Sequence, residues 1–376
     1  MGIFSVISLL GGLSIFLYGM DIMGDGLKSS SSKALKSMLE KVTHSAVLGM
    51  LTGTLVTSVI QSSTATIVLT VGLLSAGILN LRQSISIVMG ANIGTTVTAQ
   101  IIRLMDINSS GAAFIEIFKP STLAPLAVLC GIIFLKFVKS QKTKGIGMML
   151  MGFGILFTGL MGMTEAVSPL SESQAFTDVL QKFSDVPILG ILTGLITTFI
   201  VQSSSAVIGM VQALSSTGAF TFQTVYPLII GINLGTCITT AIVCSIGTDK
   251  DAKRTGIAHI LFNCIGTVLF MAAIPLLHHA GALNFIWGKP MNSGGIANFT
   301  TIFNLVTAVA LLPFTNQLVK LTTLIVKDSP DDTEDFYPEM RTLDEKLFIS
   351  PALALHQVNI AEASMGRLAR KNFNRS

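Results

Sequence analysis

Gly49-Met50-Leu51-Thr52-Gly53-Thr54-Leu55-Val56-Thr57-Ser58-Val59-Ile60-Gln61-Ser62-Ser63-Thr64-Ala65 returns later in the chain as Gly190-x-x-x-Gly194-x-x-x-Thr198-x-x-x-Gln202-Ser203-Ser204-Ser205-Ala206, at a constant displacement of 141. A second phrase, Gly90-x-Asn92-x-Gly94-Thr95, returns as Gly231-x-Asn233-x-Gly235-Thr236 at the same displacement. Each Gln-Ser-Ser knot is flanked by two apolar arms of roughly 14 residues. At about 1.5 Å per helical residue such an arm covers only about 21 Å, less than the roughly 30 Å of a bilayer core. An arm that enters a bilayer without crossing it has to return, so each copy predicts a re-entrant helical hairpin with its polar knot at the tip. A duplicated unit of this kind is a signature of secondary transporters.

Bulk composition agrees. Hydrophobic residues make up 50% of the 376 and charged residues 12%, against about 25% charged in soluble domains, and the mean hydropathy is +0.71. Charge-free stretches run over 46–81, 83–102 and 290–319. The fold class predicted is an all-α polytopic membrane protein, with inverted-topology repeats that each hold a hairpin and an interrupted span. The spans fall at about 3–20, 84–105, 121–138, 146–163, 224–246, 256–277 and 297–320. The first lacks a basic n-region and a small-residue cleavage site, and it reads as a retained span. Cys130, Cys237, Cys244 and Cys264 lie in apolar stretches without metal-ligand spacing and are expected as buried, inert thiols.

The net charge of +4 does not signal nucleic acid, because the basic residues cluster in short loops. Lys28–Lys41, Lys136–Lys144, Lys250–Arg254 and Lys320–Lys327 all fall on one face if both hairpins return to the side they entered from. That face is the cytoplasmic one by the positive-inside rule, with the C-terminus inside. The repeat is then inverted, and its start is visible too. Gly12, Leu17, Gly19 and Met23 answer to Gly152, Phe157, Gly159 and Met163 at a displacement of 140. The chain divides into a first transmembrane repeat (1–140), a second repeat with closing spans (141–325), an acidic linker (326–349) and an amphipathic helix (350–376).

At a hairpin tip, Ser62, Ser63 and Thr64, or Ser203, Ser204 and Ser205, present hydroxyls beside the unpaired N–H groups of a starting helix, which suits an oxyanion. Asn92 and Thr95, like Asn233 and Thr236, flank a glycine inside a span. Unwinding there would free carbonyls that suit a hard monovalent cation. No Lys or Arg lies within any of the four phrases. An anion held by neutral donors alone is costly to desolvate, so co-bound cations are the expected compensation, and cation-coupled symport follows. The competing reading, Ser and Thr as helix-packing residues, loses weight because the phrases recur with identical neighbours. His259 and Asn263, one turn apart, read as a packing pair ahead of a proton relay. No enzyme is expected, since neither repeat sets a His or carboxylate beside its serines.

Gln61-Ser62-Ser63-Thr64 and Gln202-Ser203-Ser204-Ser205, each followed by Gly-x-Asn-x-Gly-Thr, resemble the paired signature of the type II sodium–phosphate cotransporter family over about residues 1–325. Ala258-His259-Ile260-Leu261-Phe262-Asn263 is similar to a further family phrase, with 298–304 a weaker version, and the stretch from Leu343 looks like the opening of a PhoU-like cytosolic domain. The resemblance implies sodium-driven import of inorganic phosphate by alternating access across the plasma membrane, here a bacterial inner membrane. Phosphate would sit at Ser62, Ser63, Thr64, Ser203, Ser204 and Ser205, and sodium at Gln61, Asn92, Thr95, Gln202, Asn233 and Thr236. The other readings are a sodium-coupled transporter of sulfate or a dicarboxylate, and a phosphate-responsive membrane regulator. Partners are phosphate, sodium and the lipid bilayer, with no nucleic acid; a homodimer is compatible with the sequence.

Overall fold

The computed structural model describes residues 3–40, 45–75, 77–106, 119–245 and 250–327, with scattered positions between 355 and 366. The acidic linker predicted for 326–349 lies almost wholly outside the described residues, as does most of the helix predicted for 350–376. The described elements are α-helices and short 3-10 segments. Seven helical stretches are long and apolar enough to cross a membrane: Ile3–Ser31, Leu81–Asp106, Pro120–Phe137, Gln141–Leu170, Phe222–Ser245, Lys250–His279 and Ser293–Ile325. They coincide with the seven predicted spans.

In chain order, α1 (Ile3–Glu40) leads into the first hairpin, α2 (Ala46–Ile60) and α3 (Ser63–Ser75). Then come α4 (Leu81–Ile102) and α5 (Pro120–Phe137). The second half repeats the order with α6 (Gln141–Val167), a short α7 (Gln174–Asp185), the hairpin α8 (Pro187–Val201) and α9 (Ser204–Ser215), and α10 (Phe222–Ser245). Helices α11 (Lys250–His279), α12 (Ser293–Leu311) and α13 (Thr315–Ile325) close the bundle. The polar stretch after the first span thus continues α1, whereas in the second half it forms a separate helix, α7. The hairpin arms measure 15, 13, 15 and 12 residues, each too short as a helix to span a bilayer core.

Where lipid tails would otherwise compete with side chains for contact, small residues let helices reach each other's backbones. A Cβ on Gly12 would stand 2.9 Å from the carbonyl oxygen of Gly159, and one on Gly152 2.7 Å from that of Gly19. The pairing makes α1 and α6 antiparallel. It also maps onto itself under the repeat displacement, since Gly12 answers to Gly152 and Gly19 to Gly159. Two equivalent helices crossing antiparallel about such a point are related by a two-fold axis.

The hairpins obey the same relation. Arm α2 runs parallel to α4, with Gly49 beside Ser86 and Gly94 beside Thr57. Arm α8 runs parallel to α10, with Gly190 beside Pro227 and Gly235 beside Thr198. The start of α4 is tied to the start of α11 by the Ser84 and Thr255 hydroxyls, 3.0 Å apart. The start of α10 is tied to the chain beyond the end of α11, where the Phe222 N–H donates to the Lys289 carbonyl. The hairpins therefore open at opposite ends of α11 and point toward each other.

Two expectations need correction. The Asn-x-Gly-Thr spans are not interrupted: α4 and α10 run unbroken through Asn92-Gly94 and Asn233-Gly235. The glycines serve close approach instead, because a Cβ on Gly90 would collide with the Met50 carbonyl and one on Gly231 with that of Ile191. Side chains reinforce the helical ladder, with Asn92 Nδ2 donating to the Val88 oxygen (3.0 Å) and Asn233 Nδ2 to that of Ile229 (2.9 Å). Nor are all four cysteines buried: Cys237 and Cys244 are, while Cys130 and Cys264 lie exposed on their helices. A helix apolar all round gives no sequence sign of which face turns outward.

Candidate substrate and ion site

Each hairpin turns on a residue in a conformation that L-amino acids avoid. Gln61 has φ 59° and ψ 21°, and Gln202 φ 57° and ψ 19°. Among the described residues these are the two non-glycine positions with positive φ. The left-handed region costs a non-glycine residue roughly 1–2 kcal/mol, and such strain gathers at functional sites. The geometry it produces is compact. Gln61 N–H closes arm α2 on the Thr57 carbonyl and Gln202 N–H closes α8 on that of Thr198, both at 2.7 Å. One residue later the next helix is capped, with Ser62 Oγ accepting from Ala65 N–H and Ser203 Oγ from Ala206 N–H, each at 3.2 Å.

Four helix ends consequently meet. Arms α3 and α9 offer the positive ends of their dipoles and the N–H groups of Ser63, Thr64, Ser204 and Ser205, which have no intrahelical acceptor. The hydroxyls of these four residues form no hydrogen bonds among the described residues. Arms α2 and α8 offer carbonyl-rich, negative ends. One cavity of about 50 Å3 joins the two tips, lined by residues 61–64 and 202–205 with Thr95, Thr198, Thr236 and Thr239. A single water requires roughly 10–15 Å3, so the space admits a few heavy atoms rather than an extended organic ligand. Its lining contains no Lys, Arg, Asp or Glu.

Ten of the twelve residues singled out in the sequence line this cavity: Gln61, Ser62, Ser63, Thr64, Thr95, Gln202, Ser203, Ser204, Ser205 and Thr236. Asn92 and Asn233 do not. Both are buried and turned to the scaffold. Asn92 Oδ1 accepts from His259 Nε2 at 3.1 Å and lies 3.5 Å from Asn263 Nδ2. Asn233 Oδ1 accepts from Asn304 Nδ2 at 3.2 Å. The asparagines thus fasten α4 to α11 and α10 to α12, which leaves the threonines three residues on to face the cavity. His259 and Asn263 are the residues of α11 that Asn92 meets. Sequence reading misses Thr98, whose hydroxyl donates to Gln61 Oε1 at 2.6 Å, and its counterpart Thr239. The two stand at the same displacement as the other repeat pairs, so extending the repeat alignment just beyond Thr95 and Thr236 finds both.

Comparison with known proteins yields two tandem matches to one family model, Na+/Pi-cotransporter, over residues 15–165 and 163–307. Each match covers one half of the chain, an independent sign of the duplication. The uncharacterized protein YqeW of Bacillus subtilis is 29% identical over 83% of this chain and 95% of its own length. YjbB of Escherichia coli, named provisionally as an inorganic phosphate export protein, is 24% identical over 93% of this chain and 61% of its own length. The human sodium-dependent phosphate transport protein 2B is 34% identical over 28% of this chain and 16% of its own length. No solved structure matches.

Proposed function

The chain belongs to the Na+/Pi-cotransporter family, and on that premise we propose that it carries inorganic phosphate across the plasma membrane by alternating access, coupled to sodium, with import as its working direction. The observation that carries the reading is the shared neutral cavity at the two hairpin tips. Phosphate is held by the N–H groups and hydroxyls of Ser62, Ser63, Thr64, Ser203, Ser204 and Ser205, at two converging helix N-termini. Without a fixed cation, its charge has to be offset by ions that arrive with it. Sodium takes oxygens from Gln61, Gln202, Thr95 and Thr236 at the carbonyl-rich ends of α2 and α8. Asn92 and Asn233 act through the scaffold by holding α4 and α10 in register. The small cavity supports an inorganic oxyanion over a dicarboxylate.

Tight coupling makes direction a property of gradients: an inward sodium gradient drives import, and a reversed one drives export. The name of the Escherichia coli relative favours export as a second reading. Purified protein in liposomes, with labelled phosphate and a sodium gradient imposed in either sense, separates the two. Phosphate movement that follows the sodium gradient both ways supports the proposal. Movement indifferent to sodium overturns it, and preference for labelled sulfate over phosphate reassigns the substrate.

A further inference from the structure

The two halves of the cavity are equivalent in sequence and unequal in bonding. In the first half, Thr57 Oγ1 donates to Thr66 Oγ1 at 2.9 Å. Gln61 Nε2 donates to the Ser58 carbonyl, while its Oε1 accepts from Thr98. Every one of these contacts lapses in the second half. The counterpart of Thr66 is Val207, which offers no acceptor. Thr198, the counterpart of Thr57, is 1% exposed, lines the cavity, and its hydroxyl has no hydrogen-bond partner among the described residues. The Gln202 side chain makes neither of the bonds of Gln61, and Thr239 donates to the Thr236 carbonyl at 2.9 Å instead of reaching the glutamine.

A buried hydroxyl without a partner costs roughly 1–3 kcal/mol, and a chain that has Thr-Thr pairing available in the first repeat abandons it in the second. We infer that the Thr198 hydroxyl is a ligand of the coupling cation, so that the cation is held in the half of the cavity built by the second repeat; this rests on the sodium–phosphate reading above. The local field selects a cation over the anion. Thr198 stands in the last turn of α8, where the carbonyls of residues 199–201 have no intrahelical donors and the dipole is negative. The anion donors, Ser204 and Ser205, start the opposing arm α9, at the positive end of its dipole. A hydroxyl oxygen, free carbonyls and the loose Gln202 amide form an all-oxygen set suited to a hard monovalent ion. Of the sodium oxygens named above, those of Gln202 and Thr236 join Thr198 in this set; in the first half Thr57, Gln61 and Thr95 are already bonded within the protein and serve as a preformed wall.

The test is the melting temperature of the purified full chain in detergent, titrated with NaCl against choline chloride at constant ionic strength and without phosphate. In Thr198→Val the sodium concentration for half-maximal stabilisation should rise about tenfold or more, the loss expected for one contact to a charged group. Thr198→Ser, which keeps the hydroxyl, should remain close to wild type. Thr57→Val should lower the baseline melting temperature yet leave the sodium midpoint in place. Val207→Thr gives Thr198 a protein partner equivalent to Thr66 and should also raise the midpoint. A Thr198→Val curve that coincides with wild type overturns the inference; if that variant does not fold, an unmoved midpoint in Val207→Thr does so. A wild-type melting temperature insensitive to sodium removes the sodium-coupled reading itself and this inference with it.

Discussion

Gln61 and Gln202 share a backbone conformation but not a side-chain environment, and the difference separates strain from function. Both sit at positive φ, so both carry the same conformational penalty. Only Gln61 recovers part of it, through the Ser58 carbonyl and the Thr98 hydroxyl. Replacing Gln61 with Ala removes two bonds and leaves Thr98 without its acceptor, a cost of about 1–3 kcal/mol. Replacing Gln202 with Ala removes no side-chain hydrogen bond among the described residues and should leave stability nearly unchanged while abolishing sodium stimulation of phosphate uptake. Thermal unfolding in sodium-free detergent solution checks this: the apparent melting temperature should drop for Gln61→Ala and hold for Gln202→Ala. Equal losses would mean that the two tips are alike in the folded protein and that the asymmetry of the cavity has no energetic content.

At the scale of elements, each hairpin depends on how closely its first arm lies on the neighbouring span. A methyl group on Gly90 meets the Met50 carbonyl, and one on Gly231 meets that of Ile191; both obstacles are backbone and cannot swing aside. Gly90→Ala and Gly231→Ala should each destabilise by about 1–3 kcal/mol or more, seen as loss of monodisperse protein after solubilisation. Gly11→Ala, where nothing lies within 4 Å, should be neutral, and normal yields for all three would refute the backbone-contact account. These glycines also mark what sequence can and cannot convey. The hairpins are legible, since arm length and the polar knots at 61–64 and 202–205 are local properties measured against a fixed bilayer thickness. The uninterrupted course of α4 and α10 is not. Glycine both permits unwinding and admits a neighbouring helix, and the choice depends on Met50 and Ile191, which belong to a different helix in each repeat. The place of Asn92 is hidden for the same reason, because its partners His259 and Asn263 lie on α11. Thr198 stands in the repeat without a visible role, for its significance comes from what Val207 fails to provide.

For the whole molecule, the decisive relation is the two-fold one. It appears in the antiparallel α1–α6 contact, where the Gly12–Gly159 pair turns into Gly152–Gly19 under the repeat displacement, and in the opening of the two hairpins at opposite ends of α11. In the transport proposed above, two units so related would exchange environments, each tip taking the packing the other releases. That exchange is the alternating access around a fixed site that the proposed function calls for. The relation also makes a topological demand. Ile78, 43% exposed where the first hairpin ends, and Ser216, exposed where the second ends, must face opposite sides of the membrane. With the exposed thiols Cys130 and Cys264 replaced by Ser, a single Cys is introduced by Ile78→Cys or Ser216→Cys and treated with a membrane-impermeant maleimide. Right-side-out vesicles should label the Ser216→Cys protein and inverted vesicles the Ile78→Cys protein, which sets the first hairpin on the side of the basic loops. Labelling of both from one side would require one hairpin to cross the bilayer. Such a crossing would require the two arms of that hairpin to open into one broken span, which in the first hairpin would part the hydroxyls of Thr57 and Thr66 and leave the backbone groups of the tip unpaired against lipid, the arrangement a bilayer excludes.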